Sequence, residues 1–242
     1  LKVSVAGVEF HNPLIAASGT FGFGREYAEF YPLSALGGIS SKGITLKARP
    51  GNPAPRIAEA PGGMLNAVGL QNPGVDHFIE KDLREQGVTI IANIAGNTPE
   101  DYCAMAEKLN DTDIDMIEMN ISCPNVKQGG VQFGTSCGGV EDITKAVRAH
   151  CKKPLMVKLS PNVTDISEIA LAAESAGADA ISMINTLTGM RIDINTKRPI
   201  IHNNTGGFSG PAVFPVALRM VYQVARAVKI PVIGMGGVSS AR

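Results

Sequence analysis

Seven short apolar runs punctuate the chain: PLIAASG, GGISSKGIT, TIIANIAG, MIEMNISC, PLMVKLSP, AISMINTL and PVIGMGG. They are rich in Ile, Val, Met and Ala, lack regular polar alternation, and give way to glycine or a polar residue. Such runs suit strands buried on both faces, as parallel strands are when helices cover the sheet. The segments between them carry helical signals. Thr98 can cap PEDYCAMAEKL with Pro99 in the first turn, and Asp165 can open ISEIALAAESAG, which Gly177 would close. Pro211 opens a further helix through about Val228, with Val213, Val216, Ala217, Met220, Val221 and Val224 on one apolar face. This alternation predicts an α/β fold, a (β/α)8 TIM barrel rather than an open sheet.

A barrel needs eight strands, and the sequence reaches Arg242 soon after the seventh run, having begun on Leu1. The expectation is a single domain over residues 1–242 whose C-terminal part, strand eight and its helices, lies beyond the sequence. A genuinely open domain is the alternative. No Ser-rich or Pro-rich linker divides the chain. Two long connections interrupt the alternation: residues 46–72, LKARPGNPAPRIAEAPGGMLNAVGLQN, and the irregular stretch 188–210. Loops of that length in a compact domain are usually functional, with decorative excursions as the other reading.

At 242 residues and 44% hydrophobic content the chain can bury one sizeable core. Its 22 basic residues balance 22 acidic ones, so no overall field draws it to nucleic acid or to an anionic membrane. Small molecules or proteins are the expected partners. Cys103, Cys123, Cys137 and Cys151 form no CxxC pair, which argues against a metal site. The absence of a signal-peptide pattern fits a reducing cytoplasm, and no apolar run approaches the roughly 18 residues of a membrane helix.

In a β/α barrel the chemistry sits at the carboxyl ends of the strands. There the runs present Ser18 and Gly19, Lys42, Asn93, Asn120 and Cys123, Lys158, Asn185 and Thr186, and Gly236 and Gly237. Each alone has a plain structural reading: asparagines cap turns, lysines pair with carboxylates, cysteines pack as small hydrophobes. Together, two lysines and three asparagines at one mouth would leave many polar groups unsatisfied without a ligand, and they suit a flat, anionic, carbonyl-rich one. No histidine or carboxylate occupies these strand ends, so Cys123 is the candidate general base. Nearby lysines or amides can lower a thiol from its reference pKa of about 8.5 into working range. The glycine-rich VKQGGVQFGTSCGG that follows is either a water-excluding lid or a passive loop. The GMGG at residues 234–237 is expected to open a helix, for a phosphate or for tight packing. With the strand-end amides it suggests a phosphate-bearing cofactor such as FMN.

Nine motifs carry a resemblance: NPLIAASGTFGFG, SKGIT, GMLNAVGLQNPG, IIANIAG, NISCPN, VKLSPN, MINTLTGMR, GGFSGPA and IGMGGV. In this order and along the whole chain, they resemble the FMN-containing catalytic subunit of class 1 dihydroorotate dehydrogenase. GFG after Thr20 and NVKQGG after the cysteine point to type B over the fumarate-linked type A. The resemblance implies FMN across the mouth, held by Ser18, Lys42, Gly43, Asn93, Asn120, Lys158, Ile184, Gly210, Gly236 and Gly237. It implies dihydroorotate against Lys42, Asn66, Ala67, Val68, Gly69, Leu70, Asn120, Asn185 and Thr186. Cys123 would remove the C5 proton while FMN accepts the C6 hydride, giving orotate for pyrimidine (UMP) biosynthesis. It further implies a homodimer of this subunit joined by two electron-transfer subunits, whose FAD and [2Fe-2S] clusters pass electrons to NAD. Rival readings are a related FMN barrel acting on another dihydropyrimidine, a Schiff-base lyase using Lys42 or Lys158, and a non-catalytic FMN-binding module.

Overall fold

The computed structural model describes residues 1–83, 87–122 and 133–240. All seven apolar runs contribute strands to one parallel sheet: β1 (Ile15–Ala16), β2 (Gly38–Ser40), β3 (Thr89–Ile94), β4 (Met116–Asn120), β5 (Leu155–Lys158), β6 (Ala180–Met183) and β7 (Val232–Gly234). They pair in chain order from β1 at one edge to β7 at the other. Sequential parallel neighbours joined by crossovers, with helices outside, make this curled sheet a partial (β/α)8 barrel.

Helices α1 (Pro99–Asn110), α2 (Cys137–His150), α3 (Ile166–Ser175) and α4 (Phe214–Ala227) follow β3, β4, β5 and β6. The starts of α1, α2 and α3 are set by side-chain acceptors for free backbone N–H groups. The Thr98 hydroxyl accepts from the amide of Asp101, Asp165 Oδ1 accepts from Ser167 and Glu168, and Ser136 accepts from Gly139. Pro211 begins a 3-10 turn through Val213 that runs straight into α4. Among the described residues no helix is long and apolar enough to cross a membrane.

The runs that looked uniformly apolar alternate between two buried environments. Ile90, Ala92, Ile94, Ile117, Met119, Leu155, Val157, Ile181 and Met183 face the helices and join the main core. Their neighbours Ile91, Met116, Met156 and Ala180 pack inside the barrel around Phe10. Phe10 is fully buried and belongs to an N-terminal antiparallel hairpin, Val3–Val5 with Val8–Phe10, that closes the lower end of the barrel. Nothing in the strand pattern announced that hairpin, because each arm is only three residues long.

Two expectations need correction. The two long connections are not irregular: Ile57–Ala60, Gly63–Asn66, Thr205–Ser209 and Leu187–Met190 form a four-stranded antiparallel sheet across the sequence gap. Its glycines hid the period. A Cβ at Gly206 would lie 2.6 Å from the Asn66 carbonyl, so the close approach of the two segments requires glycine there. Second, GMGG opens no helix among the described residues; β7 ends at Gly234 and residues 235–240 are irregular. At the far end of the glycine-rich segment, Phe133–Thr135 form a 3-10 turn and Gly138 and Gly139 lie in the first turn of α2. The rest of that segment, residues 126–132, lies outside the described residues, as does Cys123.

Candidate active site

Inside the barrel the side chains are layered. Above the apolar floor of Phe10, Ile91, Met116, Met156 and Ala180 lies a polar layer of Ser40, Asn93, Glu118, Lys158 and Ser182, all buried. Strand register builds it: Asn93 pairs with Glu118, while Asn120 pairs with Lys158 and Lys158 with Ser182. Side chains two apart on one strand share a face, so Glu118 sits one step below Asn120 on β4.

Glu118 organises this layer. Oε2 accepts from the Ser40 hydroxyl at 2.6 Å and from Asn93 Nδ2 at 2.5 Å, and Oε1 accepts from the Ser182 hydroxyl at 2.6 Å. Lys158 Nζ stands 3.8 Å from Oε2, an ion-pair distance too long for a hydrogen bond. Burial pushes the Glu118 carboxyl up, but the Lys158 charge and the three hydrogen bonds outweigh it and hold the group below the ordinary carboxylate range. Asn93 Oδ1 has no partner among the described residues, although the side chain is fully buried. Gly43 faces that oxygen; a Cβ there would lie 3.2 Å from Asn93 Oδ1 and 3.0 Å from Leu70 Cδ2, crowding the space over the amide.

At the mouth, Asn185 Nδ2 donates to Asn120 Oδ1 at 3.2 Å, tying the ends of β4 and β6 together. Asn120 Oδ1 also accepts from the Ser122 amide, and its backbone oxygen accepts from the Tyr102 hydroxyl at 2.8 Å. Ser122 Oγ donates to the Lys158 carbonyl at 3.3 Å, which sets Ser122 beside the end of the Lys158 strand. Thr186 follows with its amide on Asn185 Oδ1 and its side chain against Gly207, and Asn66 Nδ2 donates to the Gly207 carbonyl.

The second lysine occupies another wall. Lys42 is half-buried and its amide donates to the Gly22 carbonyl at 2.8 Å. Burial, then the neighbouring Arg56 charge, lowers its ammonium below the ordinary lysine value of 10.5. Two like charges held together favour an anion between or beside them. Arg56 also binds the loop expected to meet substrate: it donates to the Asn52 carbonyl and to Gln71, and its own carbonyl accepts from the Ala67 amide. Asn52 in turn holds Ala67 and Val68 through hydrogen bonds of 2.9 Å each, and Gly69 and Leu70 complete the turn with positive φ.

The structure thus brings Asn93, Lys158, Asn120, Asn185 and Thr186 into one connected network, and Lys42 beside the Ala67–Leu70 turn through Arg56. Ile184, Gly210, Gly236 and Gly237 gather beyond the end of β6: Ile184 donates to the Met235 carbonyl at 3.1 Å, and a Cβ at Gly237 would lie 2.9 Å from the Gly210 carbonyl. Ser18 and Gly19 follow β1, with open space where a Gly19 Cβ would point. Sequence reasoning missed Glu118, Arg56 and Tyr102. Glu118 could have been found, since a glutamate within MIEMNI is a charge in an otherwise buried run and charges are seldom buried unpaired. Arg56 and Tyr102 carried no such signal.

A β/α barrel with an apolar floor, a buried polar layer and cations at the strand ends is the scaffold of an enzyme acting on a small polar molecule. A family profile described as Dihydroorotate dehydrogenase matches residues 1–242. Over 241 residues the chain is 62% identical to a protein of Alkaliphilus metalliredigens named dihydroorotate dehydrogenase B (NAD(+)), catalytic subunit, covering 98% of this chain and 80% of that protein. Proteins of the same name from Bacteroides thetaiotaomicron, at 57% identity over 242 residues (98% of this chain, 80% of that protein), and Petrotoga mobilis, at 54% over 244 residues (100% and 81%), are similarly related. The chain belongs to the dihydroorotate dehydrogenase family.

Proposed function

We propose that this chain is the catalytic subunit of an NAD-linked dihydroorotate dehydrogenase, an FMN flavoprotein that oxidises (S)-dihydroorotate to orotate in pyrimidine biosynthesis. The family match along the entire sequence, at 54–62% identity to subunits of that name, carries the reading. The mouth supports it independently. A buried acceptor without a partner, Asn93 Oδ1, beside a buried cation, Lys158, suits a planar heterocycle that offers an N–H next to a carbonyl. FMN has such an edge, and the residues present fit it.

When bound, FMN supplies a hydride acceptor for C6 of dihydroorotate. Asn93, Lys158, Asn120 and Gly43 would hold its ring, with Ser18, Lys42, Ile184, Gly210, Gly236 and Gly237 along the remainder. Lys158 would set a buried positive charge beside that ring. Lys42, the Asn66, Ala67, Val68, Gly69 and Leu70 segment, Asn120, Asn185 and Thr186 would orient the substrate, with Lys42 and Arg56 facing its carboxylate. Cys123 takes the C5 proton, which is acidified by the adjacent ring carbonyl. Ser122, held against Asn120 and the Lys158 strand end, supports delivery of the next residue to this mouth.

Residues 1–242 would belong to one FMN-binding barrel domain in a cytoplasmic enzyme. Two such subunits would join two electron-transfer subunits carrying FAD and a [2Fe-2S] cluster. The direct test is anaerobic absorption spectroscopy of the purified protein. A flavin band that bleaches on adding dihydroorotate, with orotate formed in equal amount, is expected; a colourless protein, or a flavin band untouched by dihydroorotate, overturns the assignment.

A further inference from the structure

Glu118 takes no part in the chemistry above, yet its carboxylate is fully enclosed, accepts three side-chain hydrogen bonds and faces a lysine. A buried ion pair adds little stability over apolar side chains of the same volume, so Glu118 and Lys158 are a costly way merely to fill a barrel. An ionised carboxylate can only accept hydrogen bonds. The Asn93 amide must therefore turn Nδ2 toward Oε2, and this turns Asn93 Oδ1 the other way, to the Gly43 side, where it is buried and unpartnered among the described residues. The same Oε2 atom faces Lys158 Nζ. One oxygen thus sets both the polarity of the amide and the place of the cation.

We propose that Glu118 is a positioning residue that fixes Asn93 as a hydrogen-bond acceptor and anchors Lys158 beside it, so that the barrel selects a ligand edge carrying an N–H next to a carbonyl or anionic oxygen. Resting on the FMN reading, that edge is the imide of the flavin pyrimidine ring, where N–H is flanked by two carbonyls. Glutamine at position 118 would offer a donor as well as an acceptor. It would let the Asn93 amide reverse, and it would leave Lys158 without its counter-charge.

The test uses the purified protein, stripped of flavin and titrated with oxidised and with reduced FMN. Glu118→Gln is expected to weaken oxidised FMN binding about tenfold or more. It should also move the ratio of the two affinities toward reduced FMN, because a negative charge has gone from beside Lys158. The exchange Asn93→Asp with Glu118→Gln places at 93 an acceptor that cannot reverse and returns one negative charge to the layer, so it should recover both quantities. A Glu118→Gln protein that binds both forms as the parent does overturns the proposal. So does an exchange variant that recovers neither quantity, whether or not the single variant folds. A parent protein that takes up no FMN instead defeats the functional reading, before any variant is compared.

Discussion

Cys123 and Lys42 divide the proposed work of the mouth between proton removal and anion recognition. Replacing Cys123 by alanine should leave FMN bound but slow its reduction by dihydroorotate by about 10² or more, read by anaerobic stopped-flow absorbance; near-normal reduction removes the thiol from the base role. Lys42 has a signature in stability. Its folded-state pKa is below the ordinary 10.5, first through burial and then through Arg56. While both folded and unfolded chains hold the proton, folding bears the whole cost of the buried charge. As pH rises through the lowered value the folded chain loses its proton first, the unfolded chain binds more protons, and stability recovers. Lys42→Met should therefore raise the flavin-free melting temperature at neutral pH, with an advantage that shrinks toward pH 10.5; an unchanged difference across that window contradicts the charge-burial account. Both positions are candidates from sequence because a lysine and a cysteine stand out where apolar runs end. Glu118 was passed over because it lies two residues inside its run, where only the direction of the side chain separates a core position from the site.

Among the elements, helix starts were the most legible. Thr98, Asp165 and Pro211 act within three or four residues of chain, so their geometry needs no distant partner. Asp165→Ala removes an acceptor shared by two backbone amides at the exposed start of α3. It should cost about 1 kcal/mol in chemical denaturation and leave FMN affinity unchanged; a loss of flavin binding would show that this cap supports the mouth. The antiparallel sheet was illegible for the opposite reason. Gly63–Asn66 pairs with Thr205–Ser209, segments about 140 residues apart, and its short strands rely on glycine for close approach, so no local pattern distinguishes them from loop. That sheet carries the Asn66, Gly207 and Thr186 contacts to the mouth.

For the whole molecule, the proposed path of electrons leaves the barrel and reaches NAD through another subunit. The purified chain alone should oxidise dihydroorotate with an artificial dye acceptor but reduce NAD only when the FAD and iron-sulfur subunit is added. Rapid NAD reduction by the chain alone contradicts that division of labour. The sequence by itself determined seven parallel strands with their helices, the polar residues at the strand ends, and the family. All of these depend on composition, local capping and short motifs. Only the tertiary structure decided which face of each strand turns inward, and with it the stacking of an apolar floor under a polar layer. The hairpin plug around Phe10, the pairing of the two long connections and the joining of Asn93 to Lys158 through Glu118 were settled there too. The physical reason is register: a one-residue shift between neighbouring strands exchanges the interior for the helix-facing side, and register is set by packing across the whole sheet rather than within any one run.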